Sequence, residues 1–303
     1  MKKLLLLAPL AIILALVSLI LFFPLSSQDQ YSLSQTGLVT YKLSIPQFSR
    51  SPLPDGSEKI IFESRGERVY SLYQVPGNSN KPSGTASDMH IRSEVFPAFI
   101  VLPGGNVKKE AEHSGIAKDL RSLGFATITL DQRGVGETGG PFPPMDQEFL
   151  SFQNKNEPVN HKMVADALEA FALLETFPEI DKNKIYIAGV SMGGRVAIIS
   201  AANQPKIKGV LAVSTGGFSY SGLPQDQKSF LDSINPNLYV SQISPRPLIM
   251  IHSENDTIVP IQEAQFTFSL AREPKSFYIA GEGHGYYSAP HFSIIQSALS
   301  NWR

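Results

Sequence analysis

No cysteine occurs in the 303 residues. That excludes disulfides, a thiol nucleophile, and zinc or iron–sulfur sites built on thiolates. An excess of one charge is also missing. Lys and Arg total 26 against 27 for Asp and Glu, a net charge of -1. Without a basic field to hold a phosphate backbone, nucleic acid is not an expected partner. His, Asp and Glu nowhere take a ligand spacing such as H-E-x-x-H, so no metal or other cofactor is expected. Repeats, heptads and low-complexity blocks are absent too. What is present is core material: 42% of residues are hydrophobic and 17% charged, too apolar for a disordered chain.

The N-terminus carries the one long apolar run. Lys2 and Lys3 precede a stretch from Leu4 to Leu25 broken only by Pro9, Ser18 and Pro24. About 20 helical residues span a bilayer core of roughly 30 Å. The pair Ser26-Ser27, between Leu25 and Gln28, makes a poor cleavage site. The expectation is an uncleaved signal anchor over residues 1–27. The lysines would stay cytoplasmic and the remainder would lie outside, with secretion after cleavage as the alternative. Residues 28–57 read as a polar, Pro-dotted tether or irregular lead-in, and 58–303 as one globular domain.

Within that domain, Lys59–Ser64 and Arg68–Gln74 alternate around Gly66 as a hairpin. Asn78–Asp88, rich in Gly, Pro, Ser and Asn, is a loop. Continuous apolar runs then alternate with helical spacing. Strands are expected at Pro97–Leu102, Phe125–Leu130, Lys184–Val190, Ile207–Val213, Pro247–Ile251 and Ser276–Ala280. Helices are expected at Lys109–Leu123, Lys162–Phe177, Gly193–Ala202, Ile261–Ala271 and His291–Trp302. This alternation means βαβ units and a parallel sheet covered on both faces, an α/β fold.

Open α/β sheets bind ligands beyond the carboxyl ends of their strands. After the strand KIYIAGV comes G-x-S-x-G, as Gly189-Val190-Ser191-Met192-Gly193. A serine hydroxyl is a weak nucleophile, and a tight strand-to-helix turn lifts it clear of the sheet. The amide of Met192, at the helix start, is a candidate oxyanion donor. After Pro247–Ile251 comes His252-Ser253-Glu254-Asn255-Asp256, where Asp256, with Glu254 as the alternative, can orient a base. After Ser276–Ala280 comes Gly281-Glu282-Gly283-His284-Gly285. Of the six histidines, His284 alone combines a strand end, a flexible loop and a position after both serine and acid. His252 is a candidate supporting group beside the acid, and His291 a surface or capping residue. Pro103-Gly104-Gly105-Asn106 follows the first apolar strand, and Gly105, then Asn106, is the second candidate oxyanion donor. Asp131-Gln132-Arg133-Gly134-Val135-Gly136 reads as structural, with Asp131 and Arg133 bracing the loop. Its lone G-x-G carries no nucleotide site.

Four segments together resemble the α/β-hydrolase superfamily: D-x-R-G-x-G-x-T at Asp131–Thr138, GVSMGG at Gly189–Gly194, Glu254–Pro260, and GHG at Gly283–Gly285. The likeness runs from about Lys59 to the end, and the compact spacing is similar to dienelactone-hydrolase-like and prolyl-oligopeptidase-like members. It implies a mostly parallel sheet of about eight strands, with Ser191 as nucleophile, His284 as base and Asp256 orienting it. Many members carry His-Gly where this chain has Pro103-Gly104, a departure that bears on the oxyanion loop. The expected chemistry is hydrolysis of carboxylic esters of small or medium acyl groups through an acyl-enzyme. A small peptidase or an acyltransferase of the same fold is the alternative, and a non-catalytic binding member a further one. Two inserts, Gly139–Asn160 and Gly216–Pro245, hold the aromatic residues for a lid or pocket wall. The expected partners are a small ester or short peptide and the membrane.

Overall fold

The computed structural model describes residues 31–34, 38–77 and 95–302. Residues 1–27, expected as an anchor, and the expected loop over 78–88 lie outside these. Among the described residues no helix is long and apolar enough to cross a membrane.

The chain opens with a two-stranded antiparallel ribbon, β1 (Tyr31–Leu33) and β2 (Val39–Tyr41). It then enters a nine-stranded sheet through β3 (Phe48–Pro52), β4 (Glu58–Ser64) and β5 (Glu67–Gln74), all antiparallel. Arg65 and Gly66 turn the β4–β5 hairpin at φ 48° and 78°. Positive φ at both central residues matches the right-handed twist of the flanking strands. The sheet thus begins ten residues before the expected domain start at 58. β3 is an edge strand, and Pro52 can occupy it because an edge leaves one row of N–H groups unpaired.

The rest of the sheet is β6 (Phe96–Leu102), β7 (Ala126–Leu130), β8 (Ile180–Val190), β9 (Val210–Val213), β10 (Leu248–His252) and β11 (Lys275–Ile279). The spatial order is β11-β10-β9-β8-β6-β7-β5-β4-β3, parallel from β11 to β7 and antiparallel beyond. Nine strands replace the eight expected because β3 was hidden in the polar lead-in. The chain leaves β6 for β7 on one side and then crosses to β8 on the other. The crevice beyond the ends of β6 and β8 is therefore the switch point of the sheet.

Eight α-helices lie among the described residues: α1 (Lys109–Ser114), α2 (Ile116–Ser122), α3 (Met145–Gln153), α4 (Val159–Leu174), α5 (Met192–Asn203), α6 (Gln225–Ile234), α7 (Ile261–Leu270) and α8 (Ser288–Ala298). The expected helix over 109–123 is two, because Gly115 leaves helical backbone at φ -95° and ψ -114°. Strand residues alternate between two cores, as a pleated sheet requires. Ile100, Leu102, Ile187, Val210 and Met250 pack with Val164, Leu168 and Phe171 of α4 and Val196 of α5. Phe99, Val101, Tyr186, Leu211 and Ile249 pack with Ile116 and Leu120 of α2, Ile295 of α8 and Trp302. Trp302 stacks on Tyr186 with ring centroids 4.7 Å apart, which closes the chain onto the sheet.

The inserts are built rather than loose. α3 and α6 meet through Phe149 and Phe152 against Phe230, with centroids 5.8 and 5.4 Å apart. The lead-in joins them: the Val39 N–H donates to the Tyr239 hydroxyl at 2.9 Å, and that hydroxyl donates to the Ser233 carbonyl.

Candidate active site

Ser191 stands between β8 and α5 with φ 54° and ψ -119°, a backbone strain of about 1–3 kcal/mol. The surroundings enforce it. The Ser191 N–H donates to the Val213 carbonyl at 2.9 Å, and its carbonyl accepts from Gly194 N–H and from the Thr215 hydroxyl at 2.7 Å. No side chain fits at the flanking glycines. A Cβ on Gly189 would collide with the Gly193 carbonyl, and one on Gly193 with the Leu102 carbonyl at the end of β6. The turn therefore presses its backbone onto the neighbouring strand's exit, and the hydroxyl is carried outward.

His284 comes from the loop after β11. Its Nε2 is 2.7 Å from Ser191 Oγ, and its Nδ1 is 2.8 and 3.0 Å from the two carboxylate oxygens of Asp256. A carboxylate on Nδ1 fixes the proton there, which leaves Nε2 to accept from the serine hydroxyl. Asp256 follows β10, and its side chain is wholly buried. It also accepts the N–H groups of Ile258 and Val259 at 2.9 and 2.8 Å. Glu254, the alternative acid, is exposed and away from this relay.

Three neighbours hold the two loops, and sequence reasoning raised only the first. The His252 ring donates to the Val259 carbonyl at 2.8 Å, closing the Asp256 loop, and burial draws its pKa below the usual imidazole value. Ser253 Oγ accepts from the Gly283 and Asn255 N–H groups. Ser214 Oγ is 3.1 Å from both the N–H and the carbonyl of Gly285. Gly281, Gly283 and Gly285 all have positive φ, so the His284 loop turns in a way that other residues resist. Serines at strand ends are common, so nothing in the sequence marked these two.

His291 is buried rather than at the surface. It accepts the Tyr287 N–H at the start of α8, which fulfils its capping expectation.

The loop after β6 lies beside the serine. A Cβ on Gly104 would be 3.5 Å from Ser191 Cβ, while Gly105 and Asn106 are exposed at the tip of the turn. Gln132 braces this loop by donating to the Pro103 carbonyl at 3.0 Å. Met192 opens α5, where its N–H has no carbonyl four residues back within the helix.

The Asp131–Thr138 segment is structural, as expected. Asp131 accepts from the N–H and the Nζ of buried Lys109, both at 2.8 Å, and from Glu137 N–H. Arg133 forms a two-pronged pair with Asp166 on α4 at 2.7 and 2.8 Å.

A strained serine at a switch point, tied to a histidine and a buried aspartate from two later loops, invites comparison with known proteins. A family model described as alpha/beta hydrolase fold matches residues 97–242. The chain has the α/β-hydrolase fold. The uncharacterised protein YfhR of Escherichia coli O157:H7 is 23% identical over 261 residues, covering 83% of this chain and 82% of its own. Among solved structures, the acetyl xylan esterase of Paenibacillus sp. R4 superposes with a TM-score of 0.66 at 16% identity, over 86% of this chain and 90% of that one. The Pyrococcus furiosus esterase Pf2001 does so with a TM-score of 0.58 at 18% identity, over 88% and 98%. At these identities the structural likenesses establish the fold, and the chemistry is argued from the chain's own site.

Proposed function

We propose that this α/β hydrolase is a serine esterase that cleaves carboxylic esters of small or medium acyl groups. The observation that carries the reading is the unbroken relay Ser191 Oγ, His284 Nε2, His284 Nδ1, Asp256, with both links under 3 Å. His284 takes the Ser191 proton as the oxygen attacks the substrate carbonyl. The backbone N–H groups of Met192 and Gly105 stabilise the oxyanion, and His284 returns the proton to the departing alcohol. Water, deprotonated by His284, then releases the acid and restores Ser191. Esters are favoured over amides because an alcohol leaves more readily than an amine, and the solved likenesses that are named esterases support this direction.

Hydrolysis of p-nitrophenyl acetate and butyrate by the full chain in mild detergent tests the reading. Ser191→Ala should lower kcat by at least about a thousandfold. Equal rates for wild type and variant would overturn it. The apolar stretch Leu4–Leu25 supports a second proposal, a membrane-anchored enzyme with its catalytic domain outside the cytoplasm. Recovery of the full chain in alkali-washed membranes is expected; its complete release would contradict the anchor.

A further inference from the structure

Among the described residues Arg195 is a half-buried arginine whose side chain no carboxylate or carbonyl answers. It follows Ser191 by four residues in the first turn of α5, and its N–H bonds back to the Ser191 carbonyl at 3.3 Å. Residues four apart share a helix face, and helical side chains lean toward the N-terminal end, here the end that carries the serine. The guanidinium lies 5.7 Å from the Phe218 ring centroid. Phe218 belongs to the loop leaving β9, the same loop whose Thr215 and Ser214 hold Ser191 and Gly285. Arg195 also lines a small cavity with Asn160, Met192 and Ile234.

Every other buried or half-buried arginine described here is answered. Arg133 has Asp166, Arg65 has Glu157, Arg50 has Glu58 and Glu179, and Arg121 and Arg246 donate to backbone carbonyls. Among the described residues the Arg195 side chain has no hydrogen bond and no ion pair, only the aromatic face of Phe218. Burial with no carboxylate in reach lowers its pKa from the ordinary value. The guanidinium is half-buried, and its five donors are used by no group of the fold and stay open to a ligand. Its planar fork matches a carboxylate, and partial removal from water strengthens that pairing.

We propose that Arg195 is a specificity-determining residue that binds a carboxylate on the substrate, so that the preferred substrates are esters carrying an anionic group a few bonds from the scissile carbonyl. This rests on the esterase reading above. Binding at this point would hold the anionic group of the substrate at the first turn of α5, the turn that begins after Ser191. The competing role, a purely structural stack on Phe218, would affect anionic and neutral substrates alike.

The test compares kcat/KM for mono-p-nitrophenyl succinate with that for its neutral methyl ester, in wild type, Arg195→Gln and Arg195→Lys. The expected result is a wild-type preference for the anion that falls by roughly tenfold to a hundredfold in Arg195→Gln. Arg195→Lys should keep a substantial part of it. Labelling of Ser191 by a fluorophosphonate, in all three proteins, reports that the site is assembled. An anion-to-neutral ratio that is the same in wild type and Arg195→Gln, with both proteins labelled, overturns the proposal while leaving the esterase reading intact. Should wild type turn over neither ester and take no label, the esterase reading fails first. The anion site is then read by glutarate alone: a rise in Tm in wild type and not in Arg195→Gln supports it, and no rise in either overturns it.

Discussion

A methyl group added at Gly193 would lie inside the contact radius of the Leu102 carbonyl, a backbone atom that cannot swing aside. The geometry of Ser191 thus depends on two glycines as much as on the serine. Gly193→Ala should lower stability by about 1–3 kcal/mol in urea unfolding and displace the serine from His284. A folded variant of unchanged stability would mean that the turn is looser than described. Ser253 acts more gently. Its hydroxyl accepts from Gly283 N–H, the residue before His284, and from Asn255 N–H, the residue before Asp256. Ser253→Ala should reduce kcat about tenfold with KM little changed, because small misplacements of a base are costly. The glycine spacing and the order of serine, acid and histidine were legible in the sequence. Ser253 and Ser214 were not, because their partners are backbone groups about 30 and 70 residues away.

At the scale of elements, the parallel strands and their covering helices followed from continuous apolar runs alternating with helical spacing. The boundaries moved where a side chain gave no signal. α3 and α6 lie in the two inserts expected as lid or pocket wall, where Pro141, Pro143 and Pro144, and the polar start of Gln225–Ile234, mask short amphipathic helices. A signal was available. Pro144, Pro158, Pro224 and Pro260 each stand immediately before a helix with φ between -64° and -52°. Proline suits a helix start because its missing N–H is not needed there. β3 escaped notice because it is short, exposed and contains proline. The pair between Arg133 and Asp166 ties the segment after β7 to α4, and Arg133 also donates to the Ser64 carbonyl at the end of β4. Removing one partner leaves an uncompensated buried charge. Asp166→Asn should therefore cost about 3–5 kcal/mol in chemical unfolding, whereas a loss under about 1 kcal/mol would show that the pair is solvated.

The whole molecule carries buried titratable groups whose pH responses oppose one another. Burial lowers His113 to about 4 and His161 to about 3, so each stays neutral in the native state. Their contribution is present above about pH 6.5 and is lost as pH falls toward those values. Burial raises Glu112 and Glu169 to about 7, so their protonated forms belong to the native state. Their contribution is present below the unfolded value near 4.5 and is lost as pH rises through 7. The two pairs offset each other between about 4.5 and 6.5. Glu169→Gln separates them. Relative to wild type, the variant should gain about 1.4 kcal/mol per pH unit at most between pH 4.5 and 7, read from urea unfolding at pH 5 and pH 7.5. An offset that is the same at both pH values would contradict a raised Glu169.

In the proposed chemistry His284 and Asp256 make Ser191 a nucleophile. The most direct measurement is the intact mass and peptide map of the full chain after reaction with a fluorophosphonate, for wild type beside His284→Ala. One adduct is expected, on Ser191, formed in wild type and slowed by at least about a thousandfold in the variant. An adduct on another residue, or equal labelling of both proteins, would contradict it.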